Sequence, residues 1–316
     1  MLTPRVRLRI LFLALSVFIA AGFIATASSS LAEDQAAITA RPKVPLFSHV
    51  AIVMEENHSL YQVLGAPDAP YINSLITNFG LAANYYANAH PSIPNYFMLT
   101  TGKMITKSDD YNKIVKRNNI VRILKKENLT WKAYIESLPS DPTRDSWPYL
   151  RHHNPFSFFS DVLDDPAEMA NIVDFGQLAA DISSNAVPDY SFIVPNAYHS
   201  GHGDVDDTGG LCANPNDVLA EADCWLQNEI DPLVTYMLAN NGLLIITWDE
   251  GNGADLKHGG GHVPTIVISG ATAPGFKSRK FFQHQSTLRL SLQALGVKNY
   301  PGAAANAGQM GAFFVP

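Results

Sequence analysis

The chain has 316 residues, 47% of them hydrophobic and 16% charged. That is enough to bury a sizeable core, and it excludes a low-complexity or disordered chain. The formal net charge is −7, so the surface has no long-range attraction for nucleic acid or an anionic membrane.

Residues 1–32 read as an export signal. Arg5, Arg7 and Arg9 form a basic start, residues 10–24 are almost wholly apolar, and small residues at 25–27 and 30–32 offer cleavage sites. Removing the segment takes the formal charge from −7 to −10. No later stretch reaches the roughly 18 apolar residues of a membrane span, so no stable span is expected after cleavage. The expected location is the periplasm or the extracellular space. Cys212 and Cys224 both fall in the exported part, and an oxidising compartment predicts a disulfide between them.

Next comes an apolar, β-branched run over 47–54, the pattern of a buried strand. A helix is predicted over 70–79, stopped by Gly80, then a strand over 84–89 and a short helix from residue 93 to 101. An amphipathic helix over 118–127 precedes a strand over 129–136. Residues 139–155 form a long loop. A helix over 175–184 and a strand over 190–194 lead into a Gly- and Asp-rich loop over 199–215. The longest predicted helix spans 217–240. Strands over 243–248 and 263–269 and a helix over 285–295 complete the chain. This alternation predicts one α/β domain over 33–316, with a mostly parallel central sheet and helices on both faces. In such sheets ligands bind beyond the carboxyl ends of the strands.

Chemistry-bearing residues cluster at those ends. Glu55-Glu56-Asn57-His58-Ser59 follows the first strand and offers hard oxygen ligands to a divalent cation, or an ordinary polar turn. Ser92, between Pro91 and Pro94, stands where a helix begins. It is either a plain N-cap or a nucleophile where free N–H groups favour a phosphate. Asp249 and Glu250 are adjacent acids at a strand end; a cation or open solvent accounts for such a pair. Gly259-Gly260-Gly261 would let His262 approach a ligand. His199 and His202 lie near Asp204, Asp206 and Asp207, and Arg151-His152-His153 offers an anion-binding group or a surface loop.

In these segments the chain resembles the phosphoesterase family of bacterial phospholipases C and secreted acid phosphatases, which has an alkaline-phosphatase-like fold. The resemblance rests on residues 55–59, His-Pro-Ser-Ile-Pro-Asn-Tyr at 90–96, Thr-Trp-Lys-Ala-Tyr-Ile-Glu at 130–136, His-Asn-Pro-Phe at 153–156, Val-Pro-Asn at 194–196 with His202, and Trp-Asp-Glu at 248–250 with His262. It implies Glu56, Asn57, Asp249 and Glu250 as metal ligands, with Ser92 as the nucleophile touching the metal. It implies His202 and His262 facing the phosphate, and His153, Asn95 and His199 on the substrate side. The implied cofactor is a divalent cation: calcium, magnesium or manganese, with zinc left open. The expected activity is acid phosphatase action on a small phosphorylated substrate or phospholipid headgroup, phosphoinositides included. A phospholipase C-type phosphodiesterase and a non-catalytic exported metal-binding protein are the alternatives.

Overall fold

Strand β1 (His49–Glu55) lies in the middle of the sheet, and its residues 50–54 are wholly shielded from solvent. A strand covered on both faces has no polar side, so its sequence reads Val-Ala-Ile-Val-Met without alternation. The computed structural model describes residues 43–202, 210–214 and 216–315. The expected export segment and Asp204, Asp206 and Asp207 lie outside the described residues.

The remaining strands are β2 (Gly80–Ala82), β3 (Tyr85–Tyr86), β4 (Trp131–Ile135), β5 (Ile172–Asp174), β6 (Tyr190–Val194), β7 (Gly242–Trp248), β8 (Thr265–Ile268), β9 (Lys277–Ser278) and β10 (Phe282–Gln283). Eight of them form one sheet in the order β5-β4-β6-β1-β7-β8-β2-β9, and β10 pairs with β3 separately. From β5 to β7 every pairing is parallel; β8 runs antiparallel to both β7 and β2. The mostly parallel α/β architecture is therefore present.

The longer helices that flank the sheet are α1 (Pro70–Asn78), α2 (Ile93–Thr101), α3 (Ile120–Lys126), α4 (Gln177–Ser183), α5 (Val218–Trp225), α6 (Asp231–Ala239) and α7 (His284–Ala294). Among the described residues, no helix is long and apolar enough to cross a membrane. Cys212 and Cys224 are joined as a disulfide, tying the segment before α5 to that helix.

Two elements differ from expectation. The helix read over 217–240 is present as one continuous run from Val218 to Ala239, but α5 passes through a π turn at Leu226–Ile230 directly into α6, which has Pro232 in its first turn. Pro232 has no N–H, and its ring crowds the carbonyl four residues back, so the hydrogen-bond register lengthens before it. The strand read over 84–89 is only β3. Beyond it the backbone N–H groups of Asn88 and Ala89 both donate to the Asn95 side chain (2.9 and 3.1 Å), which bends the chain away.

The start of α3 is pinned by one carboxylate. Asp161 accepts from Arg122 Nε and Nη2 (both 2.9 Å) and from Nδ2 of the N-cap residue Asn119 (2.7 Å). Burial raises the Asp161 pKa, but Arg122 and Asn119 outweigh it and hold the carboxyl below the usual range. With the folded pKa depressed, this stabilisation is complete above the unfolded value and is lost as pH falls through the folded one. Asp161→Asn should therefore cost about 1 kcal/mol at neutral pH, the value being limited by solvent screening. The difference from wild type should shrink in urea titrations below about pH 4. An equal deficit at pH 3 and pH 7 would refute this account.

Candidate active site

Strand register brings two acids together. Glu55 stands opposite Trp248 across β1 and β7, and the Asp249 N–H donates to Glu55 O (2.9 Å). Glu56 and Asp249 thus leave neighbouring parallel strands side by side. On the other flank the chain returns after β6 to Ser200, whose carbonyl accepts from the Glu56 N–H (2.8 Å). Glu56 is 2% exposed and Asp249 0%.

Ser92 is the N-cap residue of α2, but its side chain caps nothing. The first helical N–H, that of Ile93, donates instead to Asp109 Oδ1 (2.9 Å). The Ser92 hydroxyl is turned inward and donates to Glu56 Oε1 (3.0 Å). The same oxygen lies 3.0 Å from His202 Nδ1 and 3.2 Å from His153 Nε2. Ser200 Oγ donates to Glu56 Oε2 (3.3 Å), and Asn57 Nδ2 reaches Oε1 at 3.4 Å. Asn57 does so from a left-handed backbone (φ 57°), a conformation that asparagine tolerates better than most residues.

The two acids are driven apart in pKa. Burial opposes charge on Glu56, but His153 and His202 beside it hold its carboxyl well below the usual range. Burial pushes Asp249 well above that range, and the charges of Glu56 and Glu250 push it further. Burial also raises Glu250, against the effect of His90, whose Nδ1 lies 3.1 Å from Glu250 Oε2. Asp249 Oδ2 is buried without a hydrogen-bond partner, and His153 Nε2 is buried with only its contact to Glu56 Oε1. Glu56, His153 and Asp249 present ligand atoms all within 4.8 Å of one another. Two carboxylates and an imidazole, with one carboxylate oxygen among them orphaned, fit a divalent cation.

A family model described as "Phosphoesterase family" matches residues 61–298. The chain belongs to the phosphoesterase family. As a phosphoesterase it is a hydrolase acting on phosphoric esters. It is 29% identical over 268 residues to a phosphatidylinositol-3-phosphatase of Mycobacterium tuberculosis, covering 84% of this chain and 82% of that one. It is 28% identical over 221 residues to a probable acid phosphatase of Kluyveromyces lactis, covering 65% of this chain but only 48% of the fungal one. A solved alkaline phosphatase superfamily protein from Vibrio parahaemolyticus superposes with a TM-score of 0.57 at 13% identity, covering 82% of this chain and 70% of that one. At that identity the likeness concerns the fold.

Within this phosphoesterase, Glu56, Ser92, His153, His202 and Asp249 converge, with Asn57 touching Glu56 and Glu250 beside His90. His262 sits apart in its bonding: its Nε2 lies 3.1 Å from Ala83 O, its N–H donates to Asp255, and its ring stacks on Tyr86. His199 Nδ1 lies 2.8 Å from Glu136 Oε1, and its ring stacks on Trp225, so these contacts lead away from Glu56. Asn95 requires correction. It is fully buried, and besides accepting from Asn88 and Ala89 it donates to Ala89 O and Pro91 O (2.8 and 3.3 Å), which leaves its amide none to offer a substrate. Sequence reasoning missed His90, Asp109 and Ser200. Only His90 carried a signal, standing two residues before Ser92.

Asn95 instead holds the turn that delivers Ser92. Asn95→Ala would strand two backbone N–H groups and should cost about 2–4 kcal/mol, with kcat falling as Ser92 loosens. A melting midpoint and kcat both equal to wild type would refute that role.

Proposed function

We propose that this chain is an exported, metal-dependent phosphatase that hydrolyses phosphomonoesters through a phosphoserine at Ser92. The observation that carries the reading is the Ser92 hydroxyl, which accepts from none of the helix N–H groups and donates to Glu56 in the buried Glu56–Asp249 cluster. A serine serving only as a cap would accept from those N–H groups.

Glu56 and Asp249 would hold the cation, with His153, Asn57 and Glu250 around them. When bound, a divalent cation supplies positive charge that eases ionisation of a nearby hydroxyl and screens a phosphate. The chain's own residues divide the remaining work. Ser92 Oγ has a proton acceptor at 3.0 Å in Glu56 Oε1. The Oγ–P bond forms as the bond to the leaving oxygen breaks. His202, half-exposed beside Glu56, is the group placed to give a proton to the departing alcohol. Water then attacks phosphorus, releases phosphate and restores Ser92. His262 takes a supporting place at the rim.

The disulfide supports export, with residues 1–32 as the signal and 33–316 as the mature enzyme. The name of the mycobacterial relative adds phosphoinositides to the candidate substrates, and those of the fungal relatives favour monoesters.

Ser92→Ala should lower kcat on p-nitrophenyl phosphate roughly a thousandfold or more while the melting midpoint holds. Near-normal turnover by that folded variant would sink the nucleophile assignment. Glu56→Gln and Asp249→Asn should each lose bound metal, read by elemental mass spectrometry. Full occupancy in both would remove them as ligands. Turnover of bis-p-nitrophenyl phosphate in preference to the monoester would replace the phosphatase reading with the phosphodiesterase one.

A further inference from the structure

A cavity lies beside segments that contact the site. It has a volume of about 370 Å³, and its walls include Asp109, Asp110, Asp145, Arg144, Arg151 and His152. Two of these walls are shared with the site. Asp109 takes the N–H of Ile93, the residue after Ser92. The His152 ring packs edge-on against that of His153 at 4.5 Å, and His153 faces Glu56. The cavity is thus one residue removed along the chain from both Ser92 and His153.

The cavity holds a cation that is fixed in place but not neutralised. Arg151 Nη2 donates to Ser157 O (3.1 Å), Nε approaches Ser157 Oγ (3.4 Å), and Cζ lies 3.9 Å over the Phe158 ring. Among the described residues, no carboxylate lies within ion-pair distance of this guanidinium, whereas Arg122 and Arg144 each have one. Asp110 is exposed, so its charge is screened by solvent, and the other two acids of the cavity are partly committed elsewhere. Asp109 spends an oxygen on Ile93 N, and Asp145 accepts from the Arg151 backbone N–H (2.7 Å). A half-buried guanidinium without a carboxylate is a ready partner for an incoming anion, because part of its desolvation is already complete before binding.

We infer that this cavity receives the alcohol portion of the substrate and that Arg151 selects esters whose alcohol portion carries a second anionic group, a phosphate or a carboxylate. The inference rests on the phosphatase reading. It makes Arg151 a specificity residue rather than a catalytic one. Arg144, 83% exposed and paired with Asp141, adds only a screened charge at the mouth.

The test uses two ligands of one carbon skeleton, 3-phosphoglycerate and glycerol 3-phosphate, which differ in whether the end of the alcohol portion is a carboxylate. Calorimetric binding is measured on the Ser92→Ala protein, so that turnover plays no part. The acid should bind roughly tenfold more tightly, which corresponds to about 1.4 kcal/mol. Adding Arg151→Gln should bring the ratio close to one, and Arg151→Lys should retain part of it. Equal affinities in the Ser92→Ala protein alone would overturn the inference without recourse to any Arg151 variant. So would a ratio that survives Arg151→Gln in a protein of unchanged melting midpoint. Failure of the wild-type protein to hydrolyse p-nitrophenyl phosphate would instead count against the phosphatase reading, and the binding ratio is independent of it.

Discussion

Two carboxylates buried at the ends of adjacent parallel strands repel one another, and the rest of the site is organised around that repulsion. The pairing of Glu55 with Trp248 makes the proximity unavoidable, because the next residue of each strand has nowhere else to go. A buried charge without a partner is among the most costly features a fold can carry. Here the charge is met by the imidazoles of His153 and His202, by the hydroxyls of Ser92 and Ser200, and by a coordination geometry suited to a cation. The pKa separation of Glu56 and Asp249 follows from the same arrangement: the histidines face Glu56, and Asp249 is left with burial and like charge.

Ser92 owes its position to two side chains outside the Glu56–Asp249 cluster. Asn95 draws the 88–91 backbone into a turn, and Asp109 relieves Ser92 of the capping role by taking the Ile93 N–H. The hydroxyl is thereby released towards Glu56. Helix α7 secures the opposite wall, since His284 Nε2 lies 2.7 Å from Asp249 O. Burial depresses the His284 pKa to about 4, so its ring is a neutral part of the packing at ordinary pH. Asn95 and Asp109 thus fix Ser92, and α7 fixes Asp249.

The sheet was legible in the sequence because strands buried on both faces leave uninterrupted apolar runs, as in β1 and β7. Each of the acids and Ser92 could alone have been a polar turn, an exposed pair or an N-cap; the resemblance singled them out, and the structure brings Glu56, Ser92 and Asp249 into one cluster. The rest depends on partners chosen in three dimensions. Periodicity carried correctly through Pro232, but it could not show the π turn that precedes the proline. Asn95 looked like a polar residue available to a ligand, and only its four bonds to the 88–91 backbone show otherwise. His90 and Glu250 lie on separate loops, and nothing local announces that they meet. Arg151 could be noticed as a cation, but its lack of a carboxylate partner is visible only in the fold.

The central claim is that Ser92 carries the phosphoryl group during turnover. The most direct measurement is mass spectrometry of enzyme quenched in acid during turnover of a phosphomonoester. The account predicts a phosphoryl group on the peptide containing Ser92, appearing within the first turnover and disappearing as substrate is exhausted. Steady turnover with that peptide unmodified at every quench time, or with the phosphoryl group on another residue, would contradict it.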